Sequence, residues 1–175
     1  MNKVAWIGLG VMGYPMAGHL KTSGHDVTVF NRNRAKSEKW ISEYGGSLGA
    51  TPAEAAAEAD VVFTCVGNDY DLRAVTLGPD GLYQALKSGA VHVDHTTVSA
   101  EIARELYEAA SHHSAGALDA PVSGGQAGAE NGKLTVMVGG DETDFAKAKP
   151  VIECFAKAVN LIGPAGSGQL TKMVN

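Results

Sequence analysis

The chain has only two cysteines and 6% aromatic residues in 175, and it has no long apolar run. Two cysteines make no disulfide framework, and Cys65 falls in an apolar, strand-like stretch while Cys154 falls in a helical one. No run approaches the ~20 apolar residues that cross a bilayer. The N-terminus enters its first strand without the basic region, apolar core and cleavage site of a signal peptide. A cytoplasmic protein without a membrane partner is expected. Positive charge is also scarce: 14 Lys plus Arg stand against 19 Asp plus Glu, a net charge of -5. That balance argues against a nucleic-acid partner, so any anion site must be local. The six histidines show no HExxH or comparable spacing, and no metal is expected. His112-His113 fits a helix end favoured by the dipole. There is no internal repeat and no low-complexity tail. The length suits one domain with a real core.

Glycine, by contrast, is plentiful, with 22 residues, and its placement near the N-terminus is informative. In Lys3 to Leu20, KVAWIGLGVMGYPMAGHL, an apolar run from Val4 to Ile7 enters a cluster of Gly8, Gly10 and Gly13. The cluster opens onto a helix-period segment carrying Met16, Ala17 and Leu20. This is the dinucleotide-binding fingerprint, placed after a strand and at the start of a helix. Gly8 permits the tight turn, Gly10 lets backbone approach a pyrophosphate, and Gly13 lets helix pack on strand. The loop Gly8, Leu9, Gly10, Val11, Met12 and Gly13 is therefore the expected phosphate cradle, backed by the positive end of the helix. A glycine-rich turn without a ligand is the plainer alternative.

A second strand at Val27 to Phe30 ends on Asn31-Arg32. An NAD site usually carries Asp or Glu about 20 residues past the glycines, to accept bonds from the ribose. Here an amide and a guanidinium stand instead, followed by Arg34 and Lys36. A carboxylate would repel the 2'-phosphate of NADP, whereas Arg32 can pair with it. NADP is favoured, with NAD as the alternative, unless Arg32 to Lys36 is only a solvated helix start.

Beyond this junction helix and strand patterns alternate. Ala35 to Tyr44 is helical and Ser47 to Ala50 a short strand. Thr51-Pro52-Ala53-Glu54 starts an Ala-rich helix reaching Ala59. Val61 to Val66 suits a strand covered on both faces, and Gly67-Asn68 follows at its carboxyl end, where open parallel sheets place ligands. Val66 and Asn68 are candidate cofactor contacts. Asp69 to Leu77 and Leu82 to Leu86 are helical, Val91 to Asp94 a strand, and His95-Thr96-Thr97 offers hydroxyls at its end. Ser99 caps a helix to His112. Ala117 to Asp119 leads into a polar turn, Pro121 to Gly125. Leu134 to Val138 and Ala158 to Ile162 are strands flanking a helix from Glu142 to Phe155. Gly163, Gly166 and Gly168 form a flexible approach to a short helical start, Gln169 to Asn175. The alternation predicts an α/β, doubly wound, mostly parallel sheet.

Ser123, Gly124 and Gly125 can offer a hydroxyl and close N–H groups to a substrate carboxylate. PVSGG has the wrong shape for a nucleophile elbow, which disfavours a serine hydrolase. Lys172 could exchange a proton with a substrate hydroxyl, although on spacing alone it is a solvated helix residue.

GLGVMGYPMAGHL at 8 to 20, NR at 31 to 32, DHTT at 94 to 97, DAPVSGG at 119 to 125 and GPAGSGQLTK at 163 to 172 together resemble the β-hydroxyacid dehydrogenases. That family includes 3-hydroxyisobutyrate dehydrogenase, tartronate semialdehyde reductase and relatives of 6-phosphogluconate dehydrogenase. The resemblance implies a Rossmann-like cofactor domain, here 1 to 162, then a glycine-rich hinge and the start of an interdomain helix, 163 to 175. It implies that Lys172 matches the catalytic lysine, that Ser123, Gly124 and Gly125 match the substrate-carboxylate segment, and that Thr97 is a cofactor contact. In the family pattern an asparagine follows the lysine by four places, one beyond Asn175, and the C-terminal helical domain that closes the cleft and mediates dimerisation is absent. The expected parent is therefore an NADP-preferring oxidoreductase acting on the CH–OH of a small hydroxy acid. It is expected to be a homo-oligomer when full-length, and inactive as this segment alone. A non-catalytic dinucleotide-sensing or protein-association module on the same fold is the alternative.

Overall fold

A computed structural model describes residues 1–175. The strands are β1 (Lys3–Ile7), β2 (Asp26–Phe30), β3 (Ser47–Leu48), β4 (Val61–Thr64), β5 (Val91–Asp94), β6 (Gly116–Asp119), β7 (Val122–Ser123), β8 (Leu134–Gly139) and β9 (Ala156–Gly163). The helices are α1 (Gly13–Thr22), α2 (Arg34–Tyr44), α3 (Pro52–Ala56), α4 (Asp69–Leu77), α5 (Ala100–His112), α6 (Gly125–Glu130), α7 (Glu142–Ile152) and α8 (Ser167–Met173). The strands form one sheet in the order β3-β2-β1-β4-β5-β6-β8, with β7 and β9 also paired to β8. From β3 to β6 every pair is parallel. Then β8 runs antiparallel to β6 and β7 and parallel to β9. The order reverses at β1, between β2 and β4, which creates the crevice where such sheets take ligands.

Side chains alternate across a strand, so the continuous apolar run of β1 serves two cores. Val4 and Trp6 join one core with Val27, Val29, Phe63 and the apolar face of α1. Ala5 and Ile7 join the other with Val62, Leu72, Tyr83 and Ile102. Four of the helices, α2 to α5, start where a side chain satisfies an orphan N–H group. Asn33 accepts from Ala35 N, Thr51 from Glu54 N, Asn68 from Asp71 N and Ser99 from Ile102 N.

Several boundaries differ from the sequence expectation. The helix expected to reach Ala59 ends at Ala56, and Leu82–Gln84 is a single 3-10 turn. The helix expected to reach Phe155 ends at Ile152, and β9 begins earlier, at Ala156. The polar turn at Pro121 to Gly125 is instead strand β7 running into α6, a short helix the glycines concealed. Nor is the approach to the last helix loose: α8 begins at Ser167, and Gly168 and Gln169 in its first turn are buried. No helix is long and apolar enough to cross a membrane.

Candidate cofactor and substrate site

The loop between β1 and α1 is held by bonds that leave its outer face free. Gly8 has φ +103° and a Cβ there would strike the Cys65 carbonyl, so only glycine fits. A Cβ on Gly13 would strike the Gly8 carbonyl oxygen and come within 2.9 Å of Trp6 Nε1. Trp6 Nε1 donates to Gly8 O at 2.9 Å, Gly8 N to Phe30 O at 2.9 Å, and Leu9 N to Asn31 Oδ1 at 2.9 Å. The N–H groups of Gly10, Val11, Met12 and Gly13, by contrast, find no acceptor within the protein. They cluster at the positive end of α1, an arrangement that binds phosphate. No side chain or backbone atom lies within 4 Å of where a Gly10 Cβ would sit, so that approach is open.

These residues form one wall of a cleft of about 720 Å³ at the carboxyl ends of β1, β2 and β4. Of the expected cofactor contacts, Gly8, Gly10, Val11, Met12, Gly13, Asn31, Arg32 and Val66 line it. Leu9 is buried in the core, and Asn68 is spent on capping α4. Thr97 lies exposed past the end of β5, outside the cleft lining. Asn31 is a brace: its amide accepts from Leu9 N and donates to Asn33 O at 3.0 Å, tying the glycine loop to the end of β2. Arg32 extends into solvent with its guanidinium 3.7 Å from Asp71 Oδ1. Sequence reasoning missed the opposite wall, made by Tyr70, Asp71, Ala74 and Val75 of α4. Their spacing of three and four places one helix face toward the cleft, a signal available once the strand before α4 had been assigned. Burial pushes the Cys65 thiol up to about 12, reinforced by Asp94, so this cleft-lining cysteine stays protonated and is no nucleophile.

Beneath the cleft, β4 and β5 carry a buried polar chain. Tyr83 Oη lies 2.8 Å from His92 Nδ1, His92 Nε2 lies 2.9 Å from Thr64 Oγ1, and Thr64 donates to Asp94 Oδ1 at 2.8 Å. Burial drives His92 down to about 3 and Asp94 up to about 7. Because Thr64 gives its proton to Asp94, His92 Nε2 donates to Thr64 and Nδ1 accepts from the Tyr83 hydroxyl, which also lies 3.2 Å from Leu106 O. Thr96 accepts from Val66 N at 3.0 Å, so its hydroxyl fixes the end of β4. His95 stacks on Phe63, donates through Nδ1 to Ala120 O at 2.6 Å, and is held down to about 4 by burial.

The second group of expected residues, Ser123, Gly124, Gly125 and Lys172, gathers at the β6–β7 end of the sheet. Lys172 Nζ donates to Val122 O at 2.8 Å, which sets the ammonium beside Ser123. Gly124 and Gly125 have φ +133° and +63°, and their turn leads into α6. A buried carboxylate and a buried amide hold α8, which carries the lysine. Asp119 accepts from Gly166 N at 2.8 Å and from Gln169 N at 3.0 Å. Gln169 in turn donates to Thr96 O at 2.7 Å and accepts from Val98 N at 3.2 Å. One side chain thus joins the lysine-bearing helix to the loop that presents Thr97.

The family model for the NAD binding domain of 6-phosphogluconate dehydrogenase matches residues 3–163. An uncharacterized oxidoreductase of Shewanella frigidimarina is 58% identical over all of this chain and 60% of its own length. A probable 3-hydroxyisobutyrate dehydrogenase-like protein of Arabidopsis thaliana, described as mitochondrial, is 44% identical over 99% of this chain and 52% of its own. The solved structure of Mycobacterium tuberculosis 3-hydroxyisobutyrate dehydrogenase with L-serine superposes with a TM-score of 0.93 at 36% identity, covering all of this chain and 59% of that one. The chain thus spans between half and two thirds of the length of these relatives. Free amides at a helix N-terminus, a crevice at the strand-order reversal and this agreement along the chain lead to one family: the chain belongs to the NAD-binding domains of 6-phosphogluconate dehydrogenase type, found in hydroxyacid-dehydrogenase-like oxidoreductases.

Proposed function

We propose that this domain serves an NADP(H)-preferring oxidoreductase that interconverts a small β-hydroxy acid and its semialdehyde or keto form. The observation that carries the coenzyme half is the set of unpartnered N–H groups from Gly10 to Gly13, in a cleft rimmed by Arg32 where NAD sites carry a carboxylate. The bound nicotinamide supplies hydride transfer. The glycine loop and α1 hold the pyrophosphate, Arg32 faces the 2'-phosphate, and Val66 bounds the dinucleotide from the β4 side. Thr97 contacts the coenzyme from the β5 loop.

For the substrate half, Ser123 with the Gly124 and Gly125 amides orients the carboxylate. Lys172 exchanges the hydroxyl proton; in leaving Val122 O its ammonium reaches the substrate oxygen without an ion pair to break. The unit from 1 to 162 is the cofactor domain and the segment from 163 to 175 the start of the connection onward. Residues outside this chain complete the substrate pocket and the homo-oligomer, so the 175-residue chain binds coenzyme but turns over slowly or not at all.

Energy transfer from buried Trp6, which is bonded to the glycine loop, to NADPH or NADH provides the test. Tighter binding of NADPH is expected. A clear preference for NADH would overturn the role given to Arg32, and binding of neither would overturn the coenzyme reading.

A further inference from the structure

Resting on that coenzyme reading, we infer that Asp71 is a specificity-determining residue, a counterweight to Arg32 that limits how strongly the cleft prefers a 2'-phosphate. The two groups face each other across the rim, Arg32 past the end of β2 and Asp71 in the first turn of α4. The guanidinium and carboxylate are 3.7 Å apart, with the arginine side chain 89% exposed and the aspartate side chain 26% exposed. The aspartate is thus the more buried partner and the arginine the solvent-facing one. Asp71 Oδ2 lies 2.8 Å from where a Gly67 Cβ would stand, so glycine at 67 gives the carboxylate its place. The N-terminal turn of α4 favours its negative charge there.

The surrounding charges leave this pair to decide the rim. Arg34 is turned away, paired with Glu38 at 3.0 Å, and Lys36 is the remaining cation along the cleft. A 2'-phosphate that reaches Arg32 must displace Asp71 from it. A bare ribose hydroxyl meets no such opposition, because it can donate to the carboxylate. Asp71 therefore weakens NADPH binding while sparing or aiding NADH.

The test is a set of NADPH and NADH dissociation constants for the 175-residue chain, for Asp71→Asn, for Arg32→Gln and for the double variant, at low salt. Asp71→Asn should shift the NADPH-over-NADH affinity ratio by about tenfold toward NADPH, equivalent to about 1.4 kcal/mol. Asp71→Ser, which removes the same charge with a shorter side chain, should move it in the same direction. In the Arg32→Gln background the shift should shrink to about twofold, since neighbouring charges couple. A ratio unchanged by both Asp71 variants while both coenzymes still bind would overturn the inference and leave the coenzyme reading intact. An equal shift with and without Arg32 would overturn the claim that Asp71 acts through the arginine. Failure of the unaltered chain to bind either coenzyme would remove the coenzyme reading and this inference together.

Discussion

Replacing Asp119 by alanine tests how the lysine-bearing helix is held. Its two carboxylate oxygens take the N–H of Gly166, at the cap position of α8, and that of Gln169, three residues on. Together they do from a distant strand what a capping box does locally. Both bonds are buried, and Asp119 is only 4% exposed. Alanine leaves two buried donors without an acceptor, at about 1–3 kcal/mol each. Partial entry of water brings the expected cost to about 3 kcal/mol, and because α8 has seven residues the cost falls on local opening more than on global unfolding. Amide exchange at Leu170 and Thr171 should accelerate about a hundredfold, while exchange in β1 and β4 changes little. Asp119→Asn, which keeps one acceptor, should fall between the two. The same substitutions remove a like charge that helps hold Asp94 up, so its carboxyl should titrate lower by carbon NMR. Unchanged protection of α8 in Asp119→Ala would refute the idea that this carboxylate anchors the helix.

Two glycine substitutions separate folding from binding. Gly13→Ala should cost about 1–3 kcal/mol in urea denaturation, because the methyl collides with the Gly8 carbonyl and the Trp6 ring nitrogen. Gly10→Ala meets nothing within 4 Å, so it should leave the urea midpoint unchanged and weaken NADPH binding at least about tenfold by obstructing the approach of the pyrophosphate; equal binding would place the phosphates elsewhere. Acidification should destabilise the fold. His92 and His95 stay neutral at low values near 3 and 4, so their contribution is present above about 6.5 and lost as pH falls. Asp94, raised to about 7, contributes oppositely, with stability full below about 4 and lost as pH rises through 7. Between about pH 6 and 4 two histidines outweigh one carboxyl, a net loss on the order of 1 kcal/mol per pH unit; urea midpoints that rise on acidification would contradict it. In a full-length protein, Lys172→Ala should cut turnover far more than coenzyme affinity, and an unchanged rate would remove the lysine from the mechanism.

The coenzyme side of this domain was legible because backbone rules govern it. Gly8 and Gly13 are demanded by a positive φ and by a helix packed on a carbonyl, and those demands act on residue type at fixed spacing. Strands β1 and β4 were legible for a similar reason, as apolar runs covered on both faces. Pairings between residues far apart in the chain were not. Nothing local links Asp119 to Gly166, Gln169 to Thr96, or Arg32 to Asp71, and each depends on strand order. Helix α6 stayed hidden because its GQAGAE sequence carries two glycines, which lower helix propensity, and its stability comes from packing on α1 and β8.

The register of β6, β7 and β8 has a geometric consequence. Asp119 opposes Gly139, Val122 opposes Val136 and Ser123 opposes Thr135, two antiparallel pairings in one continuous register. Yet β5 stops its pairing with β6 at Asp119. Ala120 is still held to the β5 side, by Asp94 O at 2.7 Å and His95 Nδ1 at 2.6 Å, so the three residues from Pro121 to Ser123 overhang the edge like a cantilever about 10 Å long, at roughly 3.3 Å per residue. One margin of that beam is welded to β8, while on the other the Val122 carbonyl faces Lys172. A small molecule lodged under the overhang would meet the serine and the lysine at a distance from the sheet fixed by the number of residues in the beam.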